Sequence, residues 1–319
     1  MSRKILILTQ HKIEGSPPFL WYEFLLRDKR DVTFVALFND FTTGNNHNKW
    51  DLIKNLPRIL DVFACYDVVW SFHPIANFTS RIVKMFGGKM IVVNELRCLK
   101  SNIKFLGRVL DGITIKIPDL LVANSYGVRQ SYSYPLIKVV YGGVPEAIYD
   151  GHIIKRVRSD YECRKKFKVV FVGRLVANKG IKSLCSIFSK MDDYSLHVYG
   201  DGPLRCQLEQ QFQEISFHGY VPHQVIFEEA DILVNNSNSE GMSKSILEAA
   251  SLNIPILMKR IPSNNEVYSI DYPLYFDEVG DIDTVLNIHN ILGSFDYQPL
   301  FNISLEQRME KLKNMLDAI

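Results

Sequence analysis

The sequence predicts an α/β protein built as two doubly wound halves, each a parallel sheet wrapped by helices. Three observations predict it. Short β-branched runs alternate with helix-length stretches; that rhythm stops at a polar, basic segment near the middle and then restarts; and 319 residues at 47% hydrophobic content supply two cores of ordinary domain size.

In chain order, the first set of strands is expected at KILILTQ (4–10), VTFVALF (32–38), YDVVWSF (66–72), KMIVV (89–93), DLLVAN (119–124) and IKVVYGG (137–143). The break follows at roughly 144–166, where GGVPEAIYDG runs into a basic stretch. The second set is VVFVGR (169–174), YSLHVYGDG (194–202), ISFHGY (215–220), DILVNN (231–236) and IPILMK (254–259). SLEQRMEKLKNMLDAI closes the chain with Leu305, Met309, Leu312, Met315 and Leu316 at helical spacing. The expected division is an N-terminal domain over 1–150, a linker over 151–166, a C-terminal domain over 167–302 and a closing helix over 303–319. No period of 20–50 residues repeats, which excludes a solenoid.

Composition excludes several classes. No run approaches the length of an uncharged membrane span, and MSRKILILTQHKIEG lacks the apolar segment and cleavage site of a signal peptide, so a cytoplasmic protein is expected. Five scattered cysteines with no CxxC pair point to neither a disulfide framework nor a zinc site. The net charge of +2 conceals an asymmetry: residues 1–165 hold 24 Lys+Arg against 15 Asp+Glu, the remainder 13 against 20. The first half then either faces an anionic partner or simply carries a solvated basic surface. Residues 81–116 concentrate the effect, with eight cations against Glu95 and Asp111 and with Ile103, Phe105, Leu106, Val109 and Leu110 interleaved. Two readings stand side by side: peripheral contact with an anionic membrane, and a core helix with a solvated basic face. No nucleic-acid-binding motif accompanies the charge, so nucleic acid is the poorer partner.

In a doubly wound sheet, ligands bind where strand ends lead into helix N-termini. In the second half, VVFV is followed by Gly173, Arg174 and Leu175, then Lys179, Gly180 and a helix. SLHVY is followed by Gly200, Asp201, Gly202 and Pro203. DILVNN leads into SNSEGMSKSILEAAS, where Glu240 and Gly241 stand before a helix whose buried stripe is Ile246, Leu247, Ala249, Ala250 and Leu252. Glycines for close backbone approach, two cations and a helix N-terminus together describe a diphosphate site. The Asp-x-Asp at 281–283 follows no apolar strand and is expected to cap a helix, so no metal site is assigned.

FVGRLVANKGI, YGDGPLR, FHGYV, EGMSKSILEAASLNIPIL and IPSNNEV, in that order, resemble the retaining glycosyltransferases of the GT-B fold, the large group 1 type, over about residues 168–268. The resemblance implies two Rossmann-like domains with parallel sheets facing across a cleft. It implies metal-independent transfer of a sugar from a nucleotide diphosphate sugar, a co-substrate rather than a cofactor, to an acceptor hydroxyl with retention of configuration. The acceptor it implies is a glycan or lipid-linked glycan, with the enzyme cytoplasmic or peripheral at the inner face of the cell membrane. Arg174 and Lys179 would grip the diphosphate. Glu240 would contact donor-sugar hydroxyls, Glu248 the ribose, and Gly173, Gly202, Gly241, Met242, Ser243 and Lys244 would line the donor. In the first half the resemblance is one of outline. His73, ending YDVVWSFH, would meet the donor sugar; Gly15 stands where the family has a glycine-rich loop, here a departure from the pattern; and Asn253 replaces the usual glycine after the second helix, a position Asn tolerates in the left-handed conformation. Two rival functions remain: a nucleotide-sugar epimerase or hydrolase of the same fold, and a non-catalytic subunit that binds sugar nucleotides. A nicotinamide oxidoreductase is disfavoured, because no G-x-G-x-x-G follows the first strand of either half.

Overall fold

A computed structural model of the chain describes residues 3–14, 16–41, 49–144, 166–221, 223–286 and 299–319. It divides into two compact units, Met1–Val140 with Met309–Ile319, and Tyr141–Arg308. The expected linker falls mainly at 145–165, outside the described residues.

The first unit is a six-stranded parallel sheet of β1 (Lys4–Thr9), β2 (Asp31–Ala36), β3 (Val68–Phe72), β4 (Ile91–Leu96), β5 (Leu120–Ala123) and β6 (Ile137–Val139), ordered β2-β1-β3-β4-β5-β6. Helices cover it, and so the central strands read as unbroken apolar runs: Ile5, Leu6, Ile7 and Leu8 are at most 1% exposed. The run expected as strand to residue 38 stops earlier. Asp40 accepts the Ala36 backbone N–H at 2.7 Å, and Leu37–Asp40 turns into a short helix. The last turns of the closing helix Leu305–Asp317 belong to this unit, where Lys313 pairs with Asp28 and Asp317 with Arg30, each at 2.9 Å.

Ser71 and Asn94 bring polar groups into the apolar strands β3 and β4. Asn94 on β4 donates to Ser71 and Ser80 at 2.7 and 2.9 Å and accepts from Arg81 at 2.5 Å. Arg81, wholly buried on the helix Pro74–Met85, also reaches Asp111 at 2.5 Å and Thr114 at 3.2 Å on the helix Phe105–Thr114. A buried guanidinium is tolerable only with such partners, so this network fixes both helices against the sheet.

The second unit repeats the architecture with β7 (Phe167–Val172), β8 (Tyr194–Tyr199), β9 (Ser216–Gly219), β10 (Ile232–Asn235), β11 (Ile256–Lys259) and β12 (Tyr275–Phe276), ordered β12-β11-β10-β7-β8-β9 and parallel throughout. β12 is too short to announce itself in the sequence. The helix Lys244–Ser251 buries Ile246, Leu247, Ala249 and Ala250 as its stripe requires. Asn253 takes φ 55 beyond its end, and the Ile254 N–H returns to Ala249 at 3.0 Å, so asparagine performs the left-handed stop expected of it.

Two loops in this unit touch through bare backbone. Gly200, at φ 128, would place a Cβ 2.0 Å from the Gly173 carbonyl oxygen, whereas a Cβ on Gly280 meets nothing within 4 Å. Gly200→Ala should therefore destabilise the protein by about 1–3 kcal/mol, read as a lower urea midpoint at unchanged slope, while Gly280→Ala should leave the midpoint nearly where it was.

Candidate functional site

The order of each sheet names the place to look. In the second unit β8 and β10 flank β7, so the strand order reverses between β7 and β10, and loops leaving their carboxyl ends part to either side. The loop after β7 runs through Gly173 and the exposed Arg174 into the turn Ala177–Lys179. The loop after β10 runs through Ser237 and Glu240 to the start of the Lys244–Ser251 helix. They meet in an ion pair: the Lys179 Nζ lies 2.5 Å from Glu240 Oε1, with the two side chains 21% and 8% exposed. The Ser237 hydroxyl and the Asn235 amide, the latter at 3.3 Å, also donate to that oxygen.

Burial alone would push the Glu240 carboxyl up, but the Lys179 charge and the hydrogen bonds from Lys179, Ser237 and Asn235 outweigh it and hold the group below its ordinary range. Glu240 is thus an ionised acceptor at neutral pH. Lys179 owes its position to backbone geometry, because Gly180 turns at φ 61 where a Cβ would fall 2.4 Å from the Asn236 amide nitrogen. Gly202 lies as tightly, 2.6 Å in the same sense from the Leu175 carbonyl oxygen. Arg174 has no ion-pair partner among the described residues.

At the helix start, Gly241 and Ser243 are buried, Met242 is half-buried and Lys244 exposed. Ser243 occupies the N-cap position, yet its side chain makes no capping bond; it receives Asn235 at 3.3 Å and meets Ser245 at 3.1 Å. The backbone N–H groups of the first turn are accordingly not capped by that side chain. Glu248, a turn further on, is wholly buried and 3.4 Å from the Lys244 ammonium. Sequence reasoning missed a neighbour here: Gly142 approaches Leu247 and Met242 so closely that a Cβ would lie 2.9 and 3.2 Å from them. Its signal was the Gly142-Gly143 pair.

The first unit reverses its strand order between β1 and β3, and at those carboxyl ends Thr9 Oγ1 meets His73 Nδ1 at 3.2 Å. His73 holds φ 73 and ψ 153, a sparsely populated conformation for a side-chain-bearing residue, immediately before the helix Pro74–Met85. Burial first, then the nearby Arg97 charge, pull its imidazole down to about 4, against opposing effects of Glu95 and the Phe72 backbone. Glu95, wholly buried at the end of β4, pairs with Arg97. This pair was not foreseen, although a carboxylate in the apolar run IVVNEL was visible. Gly15 lies outside the described residues.

Two other features are placed elsewhere. Asp281 of the Asp-x-Asp forms a capping box with Glu278, accepting its N–H at 2.9 Å. A cavity of about 340 Å³ is lined by Lys190, Asp192, Asp193, Tyr194 and Asp283, but Tyr194 begins β8, so it opens at the wrong end of the strands for a site of this fold.

Residues 166–274 match the family described as Glycosyl transferases group 1. The chain is similar to the O-antigen biosynthesis glycosyltransferase WbnH of Escherichia coli, 38% identical over 99 residues that make 30% of this chain and 29% of that protein. It is similar to the GPI3 subunit of phosphatidylinositol N-acetylglucosaminyltransferase from Saccharomyces cerevisiae, 25% identical over 60% of this chain and 45% of that one. Each match thus spans less than half of the relative. The crystal structure of Anabaena Alr3699/HepE in complex with UDP-glucose superimposes at a TM-score of 0.76 over 99% of this chain and all of that one, at 16% identity. The fold is GT-B.

The depressed His73 carries a pH dependence. Between its ordinary value of 6.5 and about 4 the unfolded chain binds the proton that the folded chain refuses, so stability falls as pH drops through that window. His73→Asn keeps a residue tolerant of positive φ and removes the titration. Its urea midpoint should fall less steeply than the parent's from pH 6.5 to 4, and parallel profiles would refute the neutral, half-buried imidazole.

Proposed function

We propose that this chain is a glycosyltransferase that moves a sugar from a nucleotide diphosphate sugar to an acceptor hydroxyl, with retention of configuration and without a metal ion. The observation that carries the reading is the Lys179–Glu240 pair, set between the loops of β7 and β10 and beside the start of the Lys244–Ser251 helix. A cation, an ionised acceptor and first-turn N–H groups within one recess suit a diphosphate joined to a polyhydroxylated ring. The likeness to a fold whose relative holds UDP-glucose makes uridine nucleotides the first donors to test, and a name such as O-antigen biosynthesis glycosyltransferase favours a glycan acceptor.

In this reading the Lys179–Glu240 ion pair is exchanged on binding. The diphosphate takes the Lys179 ammonium, joined by Arg174 and the N–H groups near Met242, Ser243 and Lys244, while Glu240, released from Lys179, accepts sugar hydroxyls. The close packing of Gly200 on Gly173, Gly202 on Leu175 and Gly180 on Asn236 holds the loops that carry these groups, with Gly173 and Gly241 leaving the donor room to approach, so little reorganisation accompanies bond breaking. Departure of the diphosphate develops negative charge at the bridging oxygen, which Lys179 and Arg174 stabilise. Glu248 is buried beside Lys244, so a ribose reaches it only when its cover shifts. His73, in the first unit, is an uncharged group able to hydrogen-bond a hydroxyl. Asp281 is engaged in its capping box, which supports the metal-independent reading.

A thermal-shift screen of nucleotide sugars tests the whole, since a donor at a hundred times its dissociation constant adds about 2.7 kcal/mol of stability; a screen in which no nucleotide sugar raises the melting temperature counts against it. Lys179→Ala should weaken nucleoside diphosphate binding about tenfold or more by calorimetry, as loss of a charge-assisted bond of roughly 1.5–3 kcal/mol requires. Glu240→Gln should reduce transfer about a hundredfold through misorientation of the sugar while sugar-free nucleoside diphosphate binds nearly as before; Glu248→Gln should weaken the nucleotide itself. Activity should persist in excess EDTA.

A further inference from the structure

The registered pairing of β7 with β10 ends at Val170 and Leu233, well short of the stretches of loop that carry Lys179 and Glu240. Beyond it the two loops are tied by asparagines. The Asn178 side-chain amide donates to the Ser239 carbonyl at 2.9 Å, its Oδ1 accepts the Ser239 hydroxyl at 3.2 Å, and its backbone carbonyl accepts the Asn238 N–H at 2.9 Å. Asn236, which is buried, donates to the Gly180 carbonyl and to the Ser183 hydroxyl, each at 3.0 Å. Lys179 is thus bracketed at 178 and at 180 by the very loop that carries its ion-pair partner. The Asn178 bracket joins the residue before Lys179 to the residue before Glu240. Asn178 is exposed and belongs to no hydrophobic core, and its backbone is not in the left-handed region, so alanine fits there without strain.

We propose that Asn178 is a positioning residue for the donor: it ties the backbone beside Lys179 to the backbone beside Glu240, so that ammonium and carboxylate keep their spacing after a ligand has parted them. In the free protein the ion pair itself joins the two loops. Once a diphosphate takes Lys179 and sugar hydroxyls take Glu240, that link is gone, and the Asn178 bonds carry the alignment of one group against the other. A ligand that touches only one of the two groups draws nothing from the tie. A ligand that touches both depends on it, because its two ends must be met at once. Asn178 acts through its neighbours, since its own amide is engaged at both ends by Ser239. This deepens the function proposed above and rests on its assignment of Lys179 to the diphosphate and Glu240 to the sugar.

The test is calorimetry of the full chain with two probes, UDP and UDP-glucose, on the parent, Asn178→Ala, Glu240→Gln and the double variant. UDP engages only the Lys179 side, and its affinity should stay within about threefold of the parent's in all four. Asn178→Ala should weaken UDP-glucose about tenfold in the parent background, and should weaken it no further once Glu240→Gln has removed the group being aligned. Ser239→Ala, which keeps the bond to the Ser239 carbonyl and loses only the one at 3.2 Å, should fall between parent and Asn178→Ala. The urea midpoint of Asn178→Ala should stay near the parent's, because the bonds it loses are exposed to water. A purely structural asparagine would weaken both probes together and lower that midpoint. The proposal is overturned if UDP-glucose binds Asn178→Ala as it binds the parent, if UDP and UDP-glucose weaken in step, or if the loss is as large in the Glu240→Gln background. A parent that binds neither probe overturns the uridine donor named above and this tie's role with it, whereas a parent that binds both and an Asn178→Ala variant that matches it overturn the tie alone.

Discussion

The candidate site depends on backbone touching backbone. The loops that leave β7, β8 and β10 approach within distances that no side chain survives, at Gly200 against Gly173, Gly202 against Leu175 and Gly180 against Asn236. Close packing there sets the path of the chain through Ala177–Lys179, and that path delivers the Lys179 ammonium to a carboxylate 61 residues further along. Glycine contributes no chemistry of its own here. Its role is to let three loops nest tightly enough that one cation and one carboxylate meet in an ion pair.

Much of this was legible in the sequence because it is local. β-branched runs specify strands that helices cover on both faces, a polar start to an apolar stripe specifies the helix at 244, and Asn253 marks its end by the one backbone conformation it tolerates better than its neighbours. What was not legible is pairing across distance. Lys179 with Glu240, and Arg81 with Asp111, are partners that only the sheet order brings together. β12 has two residues and no period to detect. The Glu95–Arg97 pair lay in plain view as a carboxylate inside an apolar strand, a conflict between residue type and environment of the kind that marks functional or anchoring sites.

The two units handle buried charge in opposite ways. Arg81 is sealed and shares its hydrogen bonds among Asn94, Asp111 and Thr114; removal of Asp111 would leave a buried charge without compensation, so it acts as a structural tie. Glu240 keeps a margin of exposure, and its principal partner Lys179 keeps more. A pair of that sort can be opened by a ligand carrying charge and hydroxyls of its own, because the ligand replaces what it displaces. The contrast is one of sealing: Arg81 is closed off from solvent, whereas the Lys179–Glu240 pair is not.

One feature of the chain's path bears on how the protein is made. The residues Met309–Ile319 complete the first unit through Lys313 with Asp28 and Arg30 with Asp317, yet all of Tyr141–Arg308 lies between them and the rest of that unit. On the ribosome the first unit therefore emerges long before its own final helical turns do. Closing so long a loop adds little to the equilibrium cost but delays the last step. The unit that emerges first waits for its last turns until the second has been made.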